Sequence, residues 1–117
     1  MAYVDGYIIP VARTNREAYL AAATAMAPLF KEHGALKVVE TWGDDVPRGK
    51  QTDFYMAVKC TEDETMVFSW IIWPDKATRD SGMAKAMQDP RMQPGASPAP
   101  FDGKRMIFGG FEVLLEA

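Results

Sequence analysis

The sequence predicts an α+β fold of the ferredoxin-like kind. This is an antiparallel sheet with two helices on one face, in the order β-α-β-(β)-β-α-β. Three observations carry the expectation. The stretch Met66-Val67-Phe68-Ser69-Trp70-Ile71-Ile72-Trp73 is apolar on both faces of a strand, with Met66, Phe68, Trp70 and Ile72 pointing one way and Val67, Ile71 and Trp73 the other. The last apolar stretch, Arg105 to Leu115, is again two-sided. Two segments of helical periodicity, each opened by a capping signal, separate the strands. Two helices cover one face of such a sheet, so the other needs a cover, and the natural candidate is a second copy of the chain.

Residues 3–11 open the chain as a strand. Tyr3, Tyr7, Ile9 and Val11 share a face with Asp5, and Val4, Ile8 and Pro10 take the other. Thr14 and Glu17 have the spacing of a capping box, and an alanine-rich helix over 15–33 follows. Its apolar stripe is Tyr19, Ala22, Ala23, Met26, Leu29 and Phe30, and Gly34 stops it. Pro28 falls inside this helix, where a missing N–H costs about 3 kcal/mol, and predicts a kink. Residues 35–43 form the next strand, with Leu36, Val38 and Trp42 on one face around Glu40. The charged, proline- and glycine-bearing run 44–50 is a loop, and Phe54 to Lys59 suits a short additional strand. After the strand 66–73, Asp75 caps a helix over 76–88. Its stripe is read as Ala77, Asp80, Ala84 and Met87, with Met83 beside it. Pro90 ends it. The connection 89–104 carries Pro90, Pro94, Gly95, Pro98, Pro100 and Gly103 without periodicity, which predicts a functional or mobile loop before the last strand, 105–115.

A chain of 117 residues suits one domain spanning 1–117. The formal net charge is −3 and the basic residues are scattered, a balance that argues against binding a nucleic-acid backbone. One cysteine, Cys60, allows no intrachain disulfide, so a reducing cytoplasm is expected. No apolar run approaches the roughly 20 residues that span a bilayer.

Several stretches together resemble one family. Glu32-His33-Gly34-Ala35-Leu36, Asp44-Asp45-Val46-Pro47, Val67-Phe68-Ser69-Trp70-Ile71, Arg79-Asp80, Asp89-Pro90-Arg91-Met92 and Phe101-Asp102-Gly103-Lys104-Arg105-Met106-Ile107 with Gly109-Gly110-Phe111 are similar to the YbaA-like bacterial proteins, a family of unknown function. The resemblance runs over nearly the whole chain. It implies the dimeric α/β-barrel superfamily, in which two ferredoxin-like sheets pack together, and it implies no activity. A label referring to signal recognition particle RNA, carried by some members, gains no support from the acidic balance here. Pro28 departs from the family's usual helix.

No motif identifies chemistry, so the candidates stand singly. His33, the only histidine, is the default acid–base group, but its place at a helix C-terminus beside Lys31 suits a dipole-complementing role better. It has no partner histidine or cysteine for zinc, and no histidine follows the third core strand, where haem-binding relatives in the superfamily place one. Neither a metal nor a cofactor is expected. Asp80, on its assigned stripe, should be buried and paired, either anchoring the proline-rich connection through Arg91 or Arg105 or standing at a pocket mouth. Glu40, in an apolar strand, is either an edge residue or a general base with a raised pKa. Tyr7, Trp42, Trp70, Arg79, Asp80 and Arg105 are the candidate lining of a ligand pocket. Asp44 and Asp45 read as a turn, since two acids alone do not make a metal site.

The expectation is a cytoplasmic homodimer that binds a small, partly apolar molecule, without nucleic-acid or membrane partners. The alternatives are a cofactor-independent oxygenase or isomerase, by fold analogy alone, and a non-enzymatic interaction module.

Overall fold

The computed structural model describes residues 1–92 and 99–117. Pro94, Gly95 and Pro98 of the proline-rich connection lie outside the described residues. Strand β1 spans Tyr3–Ala12, and a 3₁₀ turn, Arg13–Asn15, leads into helix α1, Arg16–Glu32. Strand β2 is Lys37–Trp42, a short helix α2 is Phe54–Ala57, and strand β3 is Glu64–Trp73. Helix α3, Lys76–Gln88, a second 3₁₀ turn, Pro90–Met92, and strand β4, Ile107–Glu112, complete the order. The strands form one antiparallel sheet in the order β2-β3-β1-β4, so the two long strands occupy its centre. This is the ferredoxin-like architecture.

The two faces of the sheet differ as the alternation requires. Ile9, Val11, Val67, Ile71 and Trp73 face α1 and α3 and are buried. On the opposite face Phe68 is 44%, Ile107 43% and Phe111 60% exposed. Only one end of that face is covered: Met66 and Pro10 are fully buried there, together with Val58. The molecule is a slab of 38 × 37 × 20 Å, a depth that fits one helix layer on one sheet.

Several local expectations are corrected. Residues 54–57 form a helix, not a strand. Asp53 caps it, its carboxylate accepting from the Met56 N–H at 2.7 Å and the Gly49 N–H at 2.9 Å. Thr14 makes no capping box; it lies in the 3₁₀ turn, and Asn15 precedes α1 without a side-chain cap. The helix α1 runs through Pro28, which is exposed, and ends at Gly34 with a φ of 111°, a backbone conformation that suits glycine. Asp75 does cap α3, accepting from the Thr78 N–H at 2.7 Å.

The stripe of α3 is out of phase with its sequence reading. Gly82 and Ala86 are buried, Arg79 and Met83 are half-buried, and Ala77, Asp80, Ala84 and Met87 are exposed. Arg79, not Asp80, therefore faces the sheet. Asp80 pairs with its neighbour Arg79 at 2.7 Å and takes no bond from Arg91 or Arg105. Arg91 instead binds Asp89 and Glu32. Among the described residues, no helix is long and apolar enough to cross a membrane.

Candidate functional site

The helix-facing side of the sheet carries Thr65 near one end, buried and bonded to the Gly43 carbonyl, and two adjacent rows with polar residues nearer its centre. The first is centred on Asp5, in the middle of β1 and 7% exposed. Its carboxylate accepts from the Trp73 indole N–H at 2.9 Å and from Arg79 Nε at 3.1 Å. Arg79 also donates to the Tyr3 hydroxyl at 3.3 Å, and its guanidinium stacks over the Tyr3 ring at 4.7 Å. The opposing residue on β4 is Gly110, where a Cβ would collide with Arg79 and the Tyr3 hydroxyl. These bonds balance a buried carboxylate and tie α3 to the sheet.

The second row crosses all four strands. Phe108 opposes Tyr7, Tyr7 opposes Ser69, and Ser69 opposes Glu40. The Tyr7 and Phe108 rings stack with centroids 6.1 Å apart. At the other end the Tyr19 hydroxyl of α1 donates to Glu40 Oε1 at 2.6 Å. This row divides the helix-side core. One apolar cluster holds Tyr3, Ala35, Ile71 and Trp73; the other holds Ile9, Val11, Tyr19 and Val67. Tyr7 packs against both. Along α1, Tyr19 belongs to one cluster and Phe30 to the other, with the half-buried Ala22, Ala23 and Met26 between them.

The hydroxyls of Tyr7 and Ser69 take no hydrogen bond from any described residue, although Ser69 is only 4% exposed. Among the described residues no side-chain nitrogen or oxygen is both sealed from water and unpaired, so both hydroxyls retain an opening to solvent. The short Ser69 side chain thus lies between the longer Tyr7 and Glu40 on the neighbouring strands. Burial pushes the Tyr7 hydroxyl up to about 12, and the charge of Asp5 adds to the rise. Burial also raises the Glu40 carboxyl above its ordinary value, against the opposing effect of the Tyr19 hydrogen bond. Tyr19 is raised by burial and by its bond to Glu40.

The other sequence candidates fall elsewhere. Trp70 lies on the exposed face, edge-on to Phe68 with centroids 5.5 Å apart. It lines a groove of about 380 Å³ with Phe54, Phe68, Thr41, Asp44 and Asp45. A second groove, of about 280 Å³, lies on the same face over Gly6, Ile8, Ile107 and Phe111. Trp42 packs against the cluster of Ile9 and Val67, and Arg16 lies 5.8 Å above its ring. Arg105 binds both oxygens of Glu64, at 2.7 and 2.8 Å, together with Asp102 at 3.0 Å and the Lys59 carbonyl at 2.8 Å. It clamps the start of β3 to the turn before β4. His33 is half-buried at the end of α1, its backbone N–H donating to the Phe30 carbonyl. Among the described residues, no three His, Cys, Asp or Glu side chains gather as metal ligands would.

Of the sequence candidates, the structure therefore brings Tyr7, Glu40 and Arg79 to neighbouring positions on one face. It separates them from Trp70, Asp80, Arg105 and His33. Asp5, Ser69 and Tyr19 were absent from the candidate set. The signal for Asp5 and Ser69 was available: each is polar on the helix-facing side of a mostly apolar strand. Tyr19 gave no such signal, because a tyrosine on a helix stripe reads as core.

Comparison with known proteins bears on family and fold. Residues 2–103 match the model of a family described as protein of unknown function (DUF1428). The chain is 53% identical over 116 residues to the uncharacterized protein YbaA of Escherichia coli (strain K12), covering 99% of each, and equally to that of Shigella flexneri. Among solved structures it is similar to a dimeric ferredoxin-like protein from an uncultured marine organism. That TM-score is 0.62 at 12% identity, with all of both chains covered. It is also similar to SnoaB, a cofactor-independent oxygenase from Streptomyces nogalater. There the TM-score is 0.58 at 13% identity, over 97% of this chain and 95% of that one. At such identities the two structures show the fold alone. The full-length match to YbaA and the family match together settle the kinship: the chain belongs to the DUF1428 family of YbaA-like proteins, for which no function is established.

Proposed function

We propose that the protein is a homodimer, joined through the exposed sheet faces, that binds one small, partly apolar molecule per chain at the row of Tyr7, Ser69 and Glu40. The observation that carries the ligand site is the row of polar side chains, Tyr7, Ser69 and Glu40, at the seam between two apolar clusters. Apolar walls with a few convergent polar groups are the usual make-up of a small-molecule site. Phe68, Ile107 and Phe111 give the second copy an apolar surface to cover, and the similar dimeric ferredoxin-like protein supports that assembly. The lone Cys60 suits a reducing cytoplasm, and the net charge of −3 suits neither a nucleic-acid nor an anionic membrane partner. One domain accounts for the whole chain.

Native mass spectrometry of the protein as purified from cells tests the binding. The expected result is a dimer mass carrying up to two small-molecule adducts, lost in Ser69→Val and weakened in Tyr7→Phe. A bare mass in both wild type and variants, after gentle desolvation and without added ligand, counts against a resident ligand.

A further inference from the structure

We infer that the dimer is locked by a knob and a trough: the Trp70 ring of each chain seats over the partner's Gly6 and the partner's Gly109. This rests on the sheet-to-sheet dimer proposed above and names the contact that fixes it. On the exposed face Val39 opposes Trp70, Trp70 opposes Gly6, and Gly6 opposes Gly109, so one row crosses all four strands. The row sets a large aromatic residue beside two residues without side chains. A groove of about 280 Å³ lies over the glycines, walled by Ile8, Phe68, Ile107 and Phe111.

The chain's own fold does not call for these two glycines. A Cβ on Gly6 would lie 3.5 Å from the Phe111 ring, and one on Gly109 3.7 Å from it, both ordinary van der Waals distances. Neither glycine has a positive φ. Gly110 is the contrast, since a Cβ there would collide with Arg79 and the Tyr3 hydroxyl. Phe111 rests against one side of the trough, but it is 60% exposed and leaves the groove open. Glycine inside a strand weakens it and often marks a close approach by another body. Two of them side by side on the open face point to a body that comes from outside the chain.

The row itself selects a second copy. Trp70 is half-buried on β3, and Gly6 is its neighbour on β1, the two central strands. A two-fold axis running along the strands between them is equidistant from knob and trough. It sets Trp70 over the partner's Gly6 and Val39 over the partner's Gly109, and returns the same contacts in the other direction. Such self-complementarity is what a two-fold interface requires. Val4, Ile8, Ile72 and Phe111 on the same face carry no charge, which suits a dry contact. Tryptophan is enriched among the residues that carry interface affinity.

Sedimentation equilibrium of the full chain reads the dimer dissociation constant. Thermal melting at a dilution where every form is monomeric reads the stability of the chain alone. Gly6→Ala and Gly109→Ala should each raise the dissociation constant about 10-fold or more, because the methyl enters the trough in both protomers. Each should leave the monomer's melting temperature unchanged or higher, since glycine loses more freedom in a strand than alanine. Trp70→Ala should raise the dissociation constant about 30-fold or more. Gly6→Ala added to Trp70→Ala should weaken the dimer no further, because the knob that met the methyl is gone. Glycine variants that dimerise like the wild type, or full additivity in the double variant, overturn the knob and trough; the sheet-to-sheet dimer still stands if Phe68→Glu dissociates it. Glycine variants that melt lower as monomers show that the chain's own fold needs these glycines, which also overturns the contact. A monomeric wild type removes the dimer itself and the contact with it.

Discussion

Asp5 takes the buried, paired role that the sequence reading assigned to Asp80. Asp5 is 7% exposed and satisfies both Trp73 and Arg79, while the Asp80 side chain is 52% exposed and touches Arg79 alone. Removing Asp5 leaves an indole N–H and a guanidinium facing the core without their acceptor. Asp5→Ala should therefore cost about 3 kcal/mol, and Asp5→Asn should recover only part of it. Asp80→Ala should cost less than about 1 kcal/mol, as exposed ion pairs do. Chemical denaturation of the three variants checks the contrast, and equal losses from Asp5 and Asp80 would contradict it. The sequence misplaced Asp80 because α3 has so little apolar content that more than one phase fits. Its buried positions are a glycine and an alanine, Gly82 and Ala86, and its inward-facing large polar residue is an arginine. None of these registers as a hydrophobic stripe.

At the scale of elements, the strands and the two long helices were legible, because a two-sided apolar run and a capped amphipathic segment are strong signals. The short helix α2 was not. Phe54-Tyr55-Met56-Ala57 is only four residues long, too short for its aromatics to distinguish period 2 from period 3.6, and the informative residue was the cap before it, Asp53. The clamp made by Arg105 was equally hidden, since its partners Glu64 and Lys59 lie 41 and 46 residues away. This clamp predicts a pH dependence. The Arg105 guanidinium, hydrogen-bonded to the Glu64 carboxylate, holds that carboxyl down at about 2. A carboxyl lowered in the folded state contributes stability that is fully present above its unfolded value, near 4.3, and is lost as pH falls toward 2. Melting temperature should decline through that window in the wild type. Arg105→Gln should melt lower at neutral pH, and the gap between the two should narrow as the window is crossed. A gap that stays constant from pH 7 to 2 would remove Glu64 from the account.

For the whole molecule, the two-sided apolarity of β3 and β4 meant that one sheet face would lack a cover. The structure bears out this feature, with Phe68, Ile107 and Phe111 between 43% and 60% exposed. Sheet-to-sheet association should bury on the order of 1,200 Å² or more. Sedimentation should give a dimer at micromolar concentration, and Phe68→Glu should shift it toward monomer; a monomeric wild type would contradict the assembly. The proposed ligand site was far less legible. Its parts lie on four separate elements, and strand register alone aligns Tyr7, Ser69 and Glu40. No local motif reports that register, and the open grooves on the other face, near Trp70, are the more obvious cavities. The central claim is thus one of location, and chemical-shift mapping tests it most directly. With the resident small molecule bound, the largest shifts should fall on Tyr7, Tyr19, Glu40 and Ser69. Shifts concentrated on Thr41, Phe54, Phe68 and Trp70, with the Tyr7 row unmoved, would place the ligand on the exposed face and contradict the claim.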